Sequence, residues 1–443
     1  MTSTFHGLEI GRRSLYTQQT ALSTTGHNIA NANTPGYSRQ RVNMEATSSV
    51  TNPYQTGGSS SELGTGVSVE SIERIRSEYL DTQYRGRNAT LGSESMKLET
   101  LQQIEMMSAE PGENGLNASL NKLWSAFEDL SANPDSLAAR SVVVSRAEEV
   151  LDKGKAFNKD LKNLSESLQS QTDAVLKDIE SLSKQIDELN KEVVRTKGSN
   201  DIKDKRDMLI DELSSLVDVE VKEKSNGELE VKYDIADAKA GKLKGLRDSA
   251  ELTENVQENL NAVFEKLAPE INKLAESGYS LVKVDGAMQT GKPLFDVTEG
   301  EESYLERISV NEEVKSNPAN LAASSTQGTV SNGDLAAKIS GLKNTSLSFD
   351  LAGSNDKVDA TTNDFYSMLI SDIGSKAQSA ERTVANNDTV LQSIESNRLS
   401  ISGVSLDEEM ANLVQFQHAY NAAARYVSTT DEILDVIINR MGV

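Results

Sequence analysis

The stretch LDEEMANLVQFQHAYNAAARYVSTTDEILDVIINRM, residues 406–441, decides how this chain is read. Leu406, Met410, Leu413, Tyr420, Ala424, Val427, Leu434, Ile438 and Met441 follow one another in steps of three, four and seven, and Gln417 and Asp431 occupy the skipped positions. Such a stripe predicts a helix that buries one seam against another helix. A weaker stripe lies at the other terminus, where Phe5, Leu8, Leu15, Leu22 and Ile29 recur largely at seven-residue spacing with Arg12, Gln19 and Gly26 between them. The two terminal helices are expected to pair with each other and with neighbouring copies, in the manner of an assembly protein.

Composition supports long helices. Of 443 residues, 37% are hydrophobic but only 5% aromatic, with seven Pro and one Trp, as in helices packed through aliphatic side chains. The formal charge of -23 argues against nucleic-acid binding, which depends on clustered cations. Charge is unevenly placed: residues 1–45 hold Arg12, Arg13, Arg39 and Arg41 against Glu9 and Glu45, whereas the tail from Gly403 sets Arg425 and Arg440 against six carboxylates. The absence of cysteine excludes disulfides, thiol nucleophiles and Cys-ligated metals. No apolar run has the form of a signal peptide or the length of a membrane span, so the chain is expected to be cytoplasmic or to leave by a route that reads no cleaved signal.

Between the termini, Asn, Pro and Gly end the first helix after residue 30, and the Ser/Thr/Gly-rich residues 47–66 read as an extended linker. Helical spacing is expected from Ser71, with restarts after Pro111-Gly112 and Asn133-Pro134. The longest helix is expected over 136–197, with Gly154 a bend; at 1.5 Å per residue it would extend roughly 90 Å. Val217, Val219 and Val221, then Asn226-Gly227, then Leu229, Val231 and Tyr233 read as a β-hairpin. A helix from Leu246 to Leu274 is expected to be kinked or shortened at Pro269, followed by loops and small strands over 281–360 and a helix over 363–401. The fold class is therefore mainly α: a discontinuous terminal-helix coiled coil (1–46 and 403–443), an elongated helical body (47–216 and 246–402) and a small β-hairpin insert (217–245).

The segment NIANANTPGY, residues 28–37, resembles the N-terminal signature of the axial proteins of the bacterial flagellum, the rod, hook and hook-associated proteins. The tail from Ser402 and its close INRMGV (438–443) resemble the hook-associated branch more than rod or hook, and NPDSLAAR (133–140) and KRDMLIDEL (205–213) agree with it. The resemblance implies a non-enzymatic structural subunit at the hook–filament junction, with no cofactor and no membrane insertion. Its implied partners are its own copies in a ring, hook protein on one side, a second junction protein and the filament on the other, and a cytoplasmic export chaperone at the C-terminal helix. Its implied route is export unfolded from the cytoplasm through the flagellar type III pathway to an extracellular site. Asn28, Asn31, Asn33, Thr34, Pro35, Gly36 and Tyr37 would form the turn leaving the first helix, with Gly36 free to adopt backbone angles closed to other residues. The β-rich outer domains usual in such proteins would be reduced, because too few residues follow Tyr233 and Phe295. A hook or rod subunit is the alternative within the family; a secreted coiled-coil adhesin is the alternative outside it.

Candidate chemistry elsewhere reads more simply as structure. His6, His27 and His418 lack metal-ligand spacing. Asp407, Glu408 and Glu409 suit the first turn of a helix, where carboxylates complement the macrodipole. Gly64-Thr65-Gly66 and Gly241-Lys242 lack the full phosphate-loop pattern. Trp124, with Leu123 and Phe127, reads as core.

Overall fold

The computed structural model describes residues 5–51, 62–354 and 356–440. Eleven α-helices are assigned among them: α1 (His6–Ala30), α2 (Glu78–Ser108), α3 (Leu116–Ala132), α4 (Leu137–Arg195), α5 (Asn200–Leu216), α6 (Lys242–Ser277), α7 (Tyr304–Arg307), α8 (Glu312–Ser316), α9 (Asp334–Gly341), α10 (Thr362–Ser402) and α11 (Leu406–Asp435). The strands form antiparallel pairs. In chain order they are β1 (Gln40–Ala46), β2 (Val50–Thr51), β3 (Glu62–Leu63), β4 (Val67–Arg74), β5 (Glu220–Glu223), β6 (Leu229–Lys232), β7 (Tyr279–Val284), β8 (Ala287–Thr290), β9 (Phe295–Val297), β10 (Ile308–Val310), β11 (Leu347–Asp350) and β12 (Lys357–Ala360). The chain is mainly α with small β elements.

Three expectations change. The helix expected from Ser71 begins at Glu78, because Val67, Val69 and Ile72 belong to β4, which pairs with β1 from Gln40↔Arg74 to Ala46↔Val67 through a register shift at Asn43/Met44. Short pairing also extends into the expected linker, since Thr47 N donates to Gly66 O at 3.0 Å; residues 52–61 of that linker lie outside the described residues. Pro269 does not shorten its helix, which runs on to Ser277, and the helix that holds Gly154 is likewise unbroken. Gly154 is a close-approach position, where a Cβ would meet the Phe264 ring at 2.5 Å. Around Pro269, buried Leu267, Ala268 and Ile271 offset the lost backbone hydrogen bond by packing. The hairpin turns at Asn226-Gly227 as the sequence requires, with Gly227 at φ +83°.

The chain divides into two compact units, Met1–Ala89 with Ile179–Asp237 and Asn387–Val443, and Thr90–Asp178 with Ala238–Asn386. This division crosses the expected boundaries, because both hairpin strands belong with the termini. The second unit has an aliphatic and aromatic core. Leu120, Leu123, Trp124 and Phe127 of α3, Leu260, Val263 and Phe264 of α6, and Leu335 and Ile339 of α9 are buried there. Phe349 and Phe365 stack at 4.2 Å, and Trp124 Nε1 donates to Asn363 Oδ1 at 2.9 Å. Arg140, 1% exposed, donates to the carbonyls of Pro134 and Leu321. Burial pushes its pKa down to about 10 against the opposing pull of Asp135.

The first unit depends on charge. Asp204, Asp207 and Asp211 share one face of α5, at intervals of three and four. Arg74 Nη1 donates to Asp204 and Asp207, both at 2.8 Å, and Arg85 Nε to Asp211 at 2.7 Å. Arg398 of α10 joins Asp211 at 2.7 Å to Asp81 of α2 at 2.9 Å, and Arg76 clasps Asp81 at 2.6 Å. Four separated stretches of chain meet in this network, and removing one member of such a buried set costs about 3–5 kcal/mol.

Burial opposes ionisation of Asp207, but Arg76, Arg74 and Arg85 outweigh it and hold its carboxyl below its ordinary value of 3.8. A carboxylate lowered in the folded state stabilises it above the unfolded pKa, and that contribution is lost as pH falls through the folded value. The first unit should therefore lose stability on acidification below about pH 4. Asp207→Asn should weaken it at neutral pH and flatten the acid response. Amide exchange in α5, followed from pH 7 to 3, tests this; an equal acid slope in the variant contradicts it.

Candidate assembly surface at the paired termini

Helices α1 and α11 lie antiparallel: Gly7 abuts Tyr426 and Thr430, Gly11 abuts Val427, and Asn28 reaches Glu409. The buried positions of α1 are small or polar, namely Gly11, Thr17, Ala21, Thr24, Thr25 and Asn28. They allow close approach. A Cβ on Gly11 would stand 2.4 Å from Val427 Cγ2, and one on Gly7 would stand 3.1 Å from Tyr426 Oη.

This geometry displaces the predicted seams. Leu8, Leu15, Leu22 and Ile29 are only half-buried, and Phe5 is 56% exposed. On α11 the buried positions are Glu409, Ala423 and Leu434, with Val427 and Thr430 against the glycines. Leu413, Tyr420 and Ala424 are half-buried, while Leu406, Met410 and Ile438 are 51%, 53% and 61% exposed. Met441 lies outside the described residues. The predicted C-terminal stripe thus straddles two faces: Val427 and Leu434 turn inward, whereas Leu406 and Met410 form an outer apolar edge extended by Val414. The reason is steric, since glycine, alanine and threonine admit a neighbouring helix more closely than leucine does.

The signature turn is organised by Asn28, which is 1% exposed. Its Nδ2 donates to Gln40 O at 2.8 Å and Glu409 Oε2 at 3.0 Å; its Oδ1 accepts from Tyr37 OH at 2.8 Å and Gln40 N at 3.0 Å. Asn31 Nδ2 donates back to His27 O at 3.0 Å and its Oδ1 accepts from Thr34 Oγ1 at 3.2 Å, closing the end of α1. Tyr37 N then donates to Thr34 O at 3.2 Å across a turn with Pro35 second and Gly36 third at φ +77°, the type II arrangement. Asn33, Thr34, Pro35 and Gly36 are exposed. Burial and the carboxylates of Asp201, Asp204 and Glu409 push the Tyr37 phenol above its ordinary value, which keeps it protonated as the donor to Asn28.

Arg39 ties the turn to α11, with Nε to Glu409 Oε1 at 2.8 Å and Nη1 to Glu408 Oε2 at 2.6 Å. Gln40 Nε2 donates to Asp201 Oδ1 at 2.8 Å, bringing in the start of α5. Glu409 corrects the reading of the first-turn acids: it is a buried partner of Asn28 and Arg39, 2% exposed. Its spacing of seven from Phe416 and fourteen from Ala423 was the available signal. Apart from Arg76 and Asp81, five residues apart, the arginine and aspartate partners had no local signal, because pairing across 120 or more residues leaves no periodicity. Among the described residues no group of three or more His, Cys, Asp or Glu could hold a metal ion, and no helix is long and apolar enough to cross a membrane.

Comparison with known proteins adds three family matches: the flagellar hook-associated protein FlgK helical domain over residues 101–238, the flagellar basal body rod FlgEFG protein C-terminal over 395–441, and the flagella basal body rod protein over 8–37. Flagellar hook-associated protein 1 of Bacillus subtilis (strain 168) is 34% identical over 100% of this chain and 99% of its own length. The protein of the same name from Escherichia coli (strain K12) is 22% identical, covering 95% and 97% respectively. The structure of the flagellar hook junction protein FlgK from Burkholderia pseudomallei matches the fold with a TM-score of 0.61 at 12% identity, covering 72% of this chain and 100% of that one.

Replacing Asn28 with alanine strips partners from Gln40, Tyr37 and Glu409 together. The expected cost to the first unit is roughly 2–4 kcal/mol. Hydrogen exchange in β1 and α5 should quicken while Trp124 fluorescence, in the second unit, stays unchanged. Unaltered protection in β1 would remove Asn28 from its organising role.

Proposed function

The chain belongs to the flagellar hook-associated protein 1 family, and from that premise we propose that it is the structural, non-catalytic subunit joining hook to filament and permitting filament assembly. The observation that carries this reading is the apolar surface left over once α1 and α11 have paired. Leu406, Met410, Val414, Ile433 and Ile438 of the C-terminal stretch, with Phe5, present apolar side chains on a chain of net charge -23. Exposed apolar side chains at both ends of the helix are sites of association, and a head-to-tail contact between copies gives a ring where its rotation closes.

In this reading residues 1–46 and 403–443 form the assembly layer. Leu8, Leu15, Leu22 and Ile29 with Phe5 meet neighbouring copies from one side; Leu406, Met410, Leu413, Tyr420, Ala424 and Ile438 meet them from the other. Val427 and Leu434 hold the helix pair together, and the Asn28–Tyr37 turn sets its direction. Hook protein lies on one side of the ring, and a second junction protein and the filament lie on the other. The α11 stripe offers an export chaperone an amphipathic helix before secretion to the extracellular flagellum.

Deleting the gene should leave hooks without filaments and unpolymerised flagellin in the medium; missing hooks would move the chain to the hook or rod, and normal motility would refute the reading. Leu434→Asp should abolish incorporation by breaking the pair. Met410→Asp should also block incorporation yet leave the helical content of the purified chain unchanged. Normal filaments on Met410→Asp cells would exclude the outer edge as the contact.

A further inference from the structure

The first unit holds a feature that the paired termini do not use. A cleft of about 410 Å³ opens at the start of α5, bordered by Lys197, Gly198, Asn200, Lys203 and Arg206. Arg206 is 1% exposed. Its Nη1 is anchored, donating to Asn190 Oδ1 at 2.9 Å and Gly227 O at 3.0 Å, while its Nε is buried without an acceptor. Among the described residues this guanidinium makes no ion pair. Burial pulls its pKa down, only partly opposed by Asp207 and Glu223, so the buried cation is short of negative charge.

The cleft is lined by both signs of charge. Lys197 is exposed at the rim and makes no ion pair among the described residues, and Lys203 comes no nearer than 4.0 Å to Glu223. Glu73, Glu78, Asp81, Asp207 and Glu223 also border the cleft; Arg76 holds Asp81, Arg74 holds Asp207, and Glu223 stands 4.0 Å from Lys203. The 17-residue α5 begins here, and its cap residue Ser199 accepts no side-chain hydrogen bond. Helix N–H groups at such an end favour an anion.

We propose that this cleft binds an oxyanion, a carboxylate or phosphate group, between the start of α5, Lys203 and Arg206. The anion completes the coordination of the buried guanidinium and draws in the two lysines. A carboxylate could be supplied by another acidic chain, and a phosphate by solution. The proposal is independent of the junction reading, because it concerns the isolated chain.

The test uses the full-length protein at constant ionic strength, titrated separately with inorganic phosphate and with N-acetylglutamate amide while the amide resonances of Gly198, Asn200 and Lys203 are followed. Saturable shifts confined to these residues are expected, with affinity about tenfold weaker in the Lys197→Gln, Lys203→Gln double variant. Lys197 is exposed and Lys203 half-buried, and far-ultraviolet circular dichroism of the double variant checks that the fold is retained. Saturation by phosphate alone supports a site for a free anion; saturation by the glutamate probe supports a site for an acidic segment. Absence of saturable shifts with either probe, or equal affinity in the double variant, overturns the proposal.

Discussion

The Asn28 side chain divides its two donors and its acceptor oxygen among Gln40, Glu409 and Tyr37, and the arrangement of the first unit follows from that division. An amide in this position cannot be replaced by an apolar residue of similar size, because each partner is a polar group that would be left buried and unmatched. The consequence is directional. Helix α1 must end where Gln40 can reach back, the Thr34–Tyr37 turn must reverse the chain within four residues, and α11 must present Glu409 at the same depth.

Around this neutral hub lies a shell of ion pairs. Arg39 shares Glu409 with Asn28, and Asp204 accepts from Ser38 N at 2.9 Å as well as from Arg74. Buried ion pairs add little net stability, since desolvation offsets much of the attraction. Their effect is to penalise misplacement: a register error in α5 would leave three aspartates facing no arginine. Polar matching thus specifies this unit, while aliphatic packing specifies the other, with its core of Leu, Val, Phe and Trp.

The same economy of apolar contact explains the exposed edges. Because Gly7 and Gly11 bring α1 against α11, several of the larger apolar residues of both helices are left partly or wholly outside the pair. Leu8, Leu15 and Leu22 stay half-buried and Met410 stays out.

Much of this was legible in the residues alone. Helical periodicity located the long helices, Asn226-Gly227 located the hairpin turn, and residues 28–37 with the tail identified the family resemblance, because these signals are local and depend on side chains close in sequence. The facing of α1 and α11 was not legible. Periodicity groups residues into a stripe but does not say which of two adjacent stripes a neighbour covers, and glycine, alanine and threonine carry almost no hydropathic signal. Nor could Asp204, Asp207 and Asp211 be told from an ordinary solvated face. Their arginines come from residues 74, 76, 85 and 398, and only the tertiary structure brings charges so distant in sequence into ion pairs.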